Sequence, residues 1–65
     1  MIRVKVREYR KACHMTQQRL AELSGVGRST ISEIESEKHL PTLEIALLIA
    51  RALAVPVETI FVLLK

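Results

Sequence analysis

A chain of 65 residues is near the lower limit at which one domain buries a core of its own, so a single unit over 1–65 is expected, with no room for a separate ligand-sensing domain. Apolar residues make up 49% of the chain and aromatic residues only 3%, which argues against disorder and for a core of Leu, Ile, Val and Ala between close-packed helices. Ten Lys and Arg against seven Glu give a net charge of +3, an excess that suits a polyanionic partner without demonstrating one.

Arg3, Lys5, Arg7, Arg10 and Lys11 crowd the start of the chain. There Ile2-Arg3-Val4-Lys5-Val6 alternates apolar and basic side chains, the period of a half-buried strand. Its β-rich counterpart is Ile60-Phe61-Val62-Leu63-Leu64 at the far end. Either the two pair as a short antiparallel sheet, or Val4 and Val6 simply open the first helix. That helix is expected from Val6 to Cys13, with Val6, Tyr9 and Cys13 turned inward. His14 ends it.

Thr16 is a good cap for a second helix, Gln17 to Leu23, with Leu20 and Ala21 inward. Ser24-Gly25 closes it, because glycine readily takes the left-handed conformation after a last helical turn. Val26 then plugs the core, and a third helix from Arg28 to about Ser36 buries Ile31 and Ile34. Leu40-Pro41 interrupts the pattern, since the residue before proline is pushed out of helical geometry. Thr42 caps a fourth helix, Leu43 to Leu53, whose apolar stripe reads Leu43, Ala46, Leu47, Ala50 and Leu53. Pro56 suits the first turn of a short fifth helix, Val57 to Phe61. The expected fold class is all-α, with five helices and the terminal two-stranded sheet left open.

The informative stretch runs from Gln17 to Glu35. Two short helices meet across a turn of three to four residues containing Gly, the signature of a helix-turn-helix. Each special position has a reason. Ala21 is small enough for the next helix to pass close by, Gly25 supplies the positive φ of the turn, and Leu20, Val26, Ile31 and Ile34 fill the wedge between the helices.

On Met15-Thr16-Gln17, Leu20-Ala21, Gly25-Val26, Arg28-Ser29-Thr30-Ile31-Ser32, Ile34-Glu35, Pro41-Thr42-Leu43, Ile49-Ala50, Leu53 and Ile60-Phe61, the chain resembles the phage-repressor and Cro family of helix-turn-helix transcriptional regulators. The likeness covers about residues 6–61 and is nearest to short stand-alone members, whose termini pair as a small sheet. Three positions depart from the family pattern. His14 and Glu37 stand where relatives usually have Gly, so those turns are expected to differ in shape or to carry strain. Gly27 stands where a Ser or Thr cap is common, an acceptable replacement.

The resemblance implies that the third helix lies in the major groove of double-stranded DNA with its N-terminal residues against base edges. By position Arg28, Ser29 and Thr30 face the bases, with Ser32 and Glu33 a turn further on. Arg28 could bond both acceptors of a guanine or clamp a phosphate. Glu33 could accept from cytosine, orient Arg28 or Arg10, or face water. Gln17 and Gln18 open the second helix, whose free N–H groups favour a phosphate; Lys38 and His39, in the loop after the third helix, are further backbone-contact candidates. Arg10 and Glu35 match a partly buried structural ion pair of the family.

Small size and unspent apolar surface favour a homodimer, with Leu48, Phe61, Val62, Leu63 and Leu64 at its interface; the alternative is that the 61–64 tail covers the chain's own core. A twofold dimer would read half-sites about 34–36 Å apart. An enzyme is not expected: the chain has no Asp and no Gly-rich phosphate loop, and Cys13 is read as core. Cys13, His14 and His39 lack the spacing of metal ligands, and neither a cofactor nor a small-molecule ligand is implied. One cysteine excludes an intrachain disulfide and suits a reducing compartment. No signal peptide is legible, and no uncharged run approaches the roughly 20 residues of a membrane span, so a cytoplasmic protein is expected. The competing reading is a protein-interaction role on the same fold, such as the antitoxin of a toxin–antitoxin pair.

Overall fold

A computed structural model describes all 65 residues. In chain order the elements are β1 (Ile2–Val4), α1 (Val6–Ala12), α2 (Gln17–Ser24), α3 (Arg28–Glu35), α4 (Leu43–Leu53), α5 (Val57–Ile60) and β2 (Phe61–Leu63). The fold is five helices extended by one two-stranded sheet. β1 and β2 pair antiparallel, with Ile2 opposite Leu63, Arg3 opposite Val62 and Val4 opposite Phe61. The alternation at the N-terminus is therefore a strand, and Val4 points to the core while Arg3 stays in solvent.

The core is one cluster to which every helix contributes, centred on Leu20, Ile31, Ile34, Ile49 and Ile60 with Val6 and Val26 beside them. Branched aliphatic side chains fill the space that aromatics would fill in a larger domain; burying each fully contributes roughly 1.5–3 kcal/mol. Thr16 and Thr42 cap α2 and α4, each side-chain oxygen accepting from the N–H three residues on, at 3.0 and 3.2 Å. Those bonds satisfy donors that the first turn of a helix leaves free.

Three expectations fail, each for a physical reason. Cys13 is exposed, not core. α1 stops at Ala12 and the chain reverses at His14, so the inward position beside Val6 falls to Arg10 instead. The buried stripe of α4 is Ala46, Ile49, Ala50 and Leu53, while Leu43 and Leu47 are 73% and 49% exposed. Small residues at 46 and 50 let α2 and α5 approach α4 on that side, and the larger leucines are turned away. The third concerns the tail. Phe61 packs against the core and β2 pairs with β1, so only Leu63 and Leu64 of residues 61–64 remain exposed.

α1, α3 and α4 end alike, each with a left-handed residue that is not glycine: His14 at φ 58°, Glu37 at φ 63° and Ala54 at φ 59°. The same pair of backbone bonds closes each turn, as in Glu37 N–H to the Ile34 carbonyl and Lys38 N–H to the Glu33 carbonyl, both at 3.0 Å. This is the Schellman arrangement, in which glycine is the usual left-handed residue. The turns at His14 and Glu37 thus keep the glycine shape and carry the strain that an L side chain adds.

Candidate nucleic-acid interface

The α2–α3 unit is assembled from local causes. Leu20 and Ala21 bury the inner side of α2. Ser24, also buried, donates to the Ala21 carbonyl at 3.4 Å and accepts from the Val26 N–H at 3.2 Å. Gly25 follows at φ 76° with its N–H on the Ala21 carbonyl at 2.9 Å, and Val26 drops into the core. Gly27 then stands at the start of α3 in extended conformation, making no side-chain cap.

α3 has two unlike sides. Ile31 and Ile34 are buried to within 1% of complete. Opposite them Arg28, Ser29 and Glu33 are exposed, and Thr30 and Ser32 half-buried. None of these five side chains makes an ion pair or a hydrogen bond within the chain. Glu33 in particular orients neither Arg10 nor Arg28 and faces water. A rigid helix thus presents donors and acceptors that the fold itself leaves free.

The far end of α3 is the reverse case. Glu35 is buried, and Arg10 Nε donates to its Oε2 at 2.7 Å while Arg10 Nη2 donates to Oε1 at 3.1 Å. This fork joins α1 to α3 with the bidentate geometry that suits guanidinium and carboxylate. Arg10 Nη1 also donates to the Met15 carbonyl at 2.8 Å, Gln17 Nε2 to Glu35 Oε1 at 3.1 Å and Arg7 Nε to the same oxygen at 3.4 Å. No buried side-chain polar atom lacks a partner. Burial pushes the Glu35 carboxyl up, but hydrogen bonds from Arg10 and Gln17, the Arg10 charge and the Arg7 bond outweigh it and hold the carboxyl below its ordinary range. The Glu35 hydrogen bond raises Arg10 in turn, against a smaller opposing effect of burial.

This cluster brings the start of α2 beside the end of α3. The Gln17 side chain is committed to Glu35, while Gln18 is exposed and reaches Glu22 at 3.5 Å. Lys38 and His39 are exposed in the α3–α4 loop. No three His, Cys, Asp or Glu side chains converge. Sequence reasoning missed Arg7, the Met15 carbonyl and Ser24. Arg7 carried a signal, since it lies three residues before Arg10 and so shares its helix face; the other two depend on tertiary approach or on turn geometry.

Two short helices joined at a left-handed glycine, the first capped by Thr16 and the second polar on its outer side, define a helix-turn-helix protein. The sequence pattern of the helix-turn-helix family matches residues 6–60, and the chain belongs to that family. It is similar to an uncharacterised HTH-type transcriptional regulator of Methanothermobacter thermautotrophicus, 44% identical over 63 residues that cover 95% of this chain and 91% of the relative. A protein of the same description from Archaeoglobus fulgidus is 39% identical over 61 residues, 94% of this chain and 86% of its own. One from Bacillus subtilis is 37% identical over 57 residues, 88% and 86% of the two chains. No helix of the chain is long and apolar enough to cross a membrane.

Proposed function

We propose that this protein is a sequence-specific double-stranded-DNA-binding transcriptional regulator, acting as a repressor, that binds a twofold-symmetric operator as a homodimer. The observation that carries the reading is the outer side of α3, where Arg28, Ser29, Thr30, Ser32 and Glu33 project from a helix locked on its inner side by Ile31, Ile34 and Glu35. A helix so held enters the major groove as a rigid body, and its free side chains meet base edges. Arg28, at the first turn, is assigned to guanine. Backbone groups at the head of α2 (Gln17, Gln18), together with Lys38 and His39, hold phosphates and set the register of the helix in the groove. The description of the relatives as transcriptional regulators supports the same role.

Homodimerisation rests on leucines that the fold leaves in solvent, among them Leu43, Leu47 and Leu63. As a repressor it would act by occupying an operator that overlaps a promoter. Selection of bound sequences from a random duplex library tests the proposal: a symmetric motif with half-sites about one helical turn apart is expected. Recovery of no motif, or of an asymmetric one, would overturn the operator assignment. Affinity should also fall steeply as salt rises, as counterions released from phosphates demand; a flat response would remove DNA as the partner.

A further inference from the structure

α4 carries apolar surface outside the buried stripe. The exposed Leu43 and Leu47, with Leu48 half-buried against the edge of the core, line an open groove of about 400 Å³ with Glu44 and Arg51 at its rims. Leu47, Leu48 and Arg51 stand three, four and seven residues after Glu44, and the four so lie on one stripe of the helix. Glu44 and Arg51 are two turns apart, roughly 10 Å along the axis, too far to meet each other across the leucines. Neither forms an ion pair within the chain, all three of which lie elsewhere. Their placement in the first and last turns suits the helix dipole, but the dipole explains neither the leucines between them nor the exposure of Leu47.

We infer that this stripe is the docking surface for a second copy of the chain, with the two α4 helices side by side and antiparallel. The inference rests on the homodimer reading above and gives it an interface. A twofold axis between Leu47 and Leu48 sets each against the other across the seam. The same axis puts Glu44 opposite Arg51 of the partner subunit and Arg51 opposite Glu44 of the partner subunit. Leu43, at the edge of the stripe, comes to Ala52 of the partner subunit, a residue small enough to receive it. Both charge pairs form at once because an isologous contact repeats every interaction. The parallel arrangement brings Glu44 to Glu44 and Arg51 to Arg51 and is rejected by like-charge repulsion. The stripe is therefore self-complementary in one orientation only.

The test uses the full chain carrying E44R, the full chain carrying R51E, and their equimolar mixture, followed by light scattering and native mass spectrometry. The E44R chain is basic at both rims and the R51E chain acidic at both. Each alone should dissociate, with a dimer weakened roughly tenfold or more, and the mixture should form a heterodimer of near-wild-type stability. Circular dichroism of each variant checks folding, and recovery on mixing excludes unfolding as the cause of dissociation. Wild-type chain and both variants alike dimeric would move the interface elsewhere while leaving the homodimer intact. Dissociation of both without recovery on mixing would also overturn the α4 pairing. A wild-type chain that stays monomeric would sink the homodimer and this interface together.

Discussion

Arg10 and Arg28 attend opposite ends of α3 with the same guanidinium and opposite fates. Arg10 is 8% exposed, and its three side-chain hydrogen bonds are spent inside the fold, two on the Glu35 carboxylate and one on the Met15 carbonyl. Arg28 stands in solvent at the first turn with no partner in the chain. A charge saturated inside the fold holds elements together, whereas one left bare is free for a ligand. The pair divides the helix into a structural end and a working end, and the division can be attacked from either side.

The largest effect belongs to the structural end. Arg10→Ala should cost about 3–5 kcal/mol, because it removes the bidentate partner of a buried carboxylate and leaves it only Gln17 and the half-exposed Arg7. In a domain whose whole stability is about 5–15 kcal/mol, that is a fifth or more of the total and should lower the urea midpoint correspondingly. A loss below about 1 kcal/mol, the range of exposed pairs, would mean that Gln17 and Arg7 suffice to hold Glu35. At the working end, Arg28→Ala should leave the urea midpoint unchanged. It should weaken binding to the selected site by about 1–3 kcal/mol, or roughly 5- to 150-fold, with a much smaller loss on random duplex. Equal losses on both duplexes would reassign Arg28 to a phosphate.

The same contrast shows how far the sequence could be read. The α2–α3 unit was legible because its causes are local: the Thr16 cap, the left-handed Gly25, and Ile31 and Ile34 one turn apart. The side chains on the outer side of α3 follow from that phase without any tertiary information. α4 was harder, since nine of its eleven residues are apolar and periodicity alone cannot choose the buried side. The small size of Ala46 and Ala50 chose it, through the approach of other helices. Cys13 was misplaced because the stripe from Val6 and Tyr9 was continued one residue beyond the end of the helix. The terminal sheet joins residues some 60 positions apart, a pairing that only the folded core brings within reach. At the Glu35 cluster, family likeness points to Arg10; Arg7 shares the Arg10 face of α1 and was legible from that spacing, whereas Gln17 reaches Glu35 from the head of α2 and depends on tertiary approach.

Acid separates the two ends more finely. Glu35 has a folded-state pKa below its unfolded value, so its contribution to stability is present above the ordinary carboxylate range, near about 4.3. That contribution is lost as pH falls through the lower, folded value. Wild type should therefore exceed Glu35→Gln in unfolding free energy at neutral pH, with a gap that narrows below about pH 4. A gap constant from neutral to acid would show that packing, and not ionisation, accounts for the difference. Arg28→Ala should track wild type through the whole range.

The smallest effect lies just beyond the structural end, at Glu37. Its left-handed backbone costs an L residue roughly 1–2 kcal/mol, and its exposed side chain makes no ion pair or hydrogen bond in return. Glycine relieves that strain but loses more conformational freedom on folding, by roughly 0.5–1 kcal/mol. Glu37→Gly should therefore stabilise by about 0.5–1 kcal/mol net. The converse, Gly25→Ala, should destabilise by a comparable amount through the backbone alone, because nothing lies within 4 Å of the added methyl. Stabilisation at 37 with no loss at 25 would mean that the two turns differ in more than their left-handed residue. In that case the bare Glu37 carboxylate beside the last carbonyls of α3, repelled by the negative end of the helix dipole, would account for the gain, and Glu37→Gln would reproduce it.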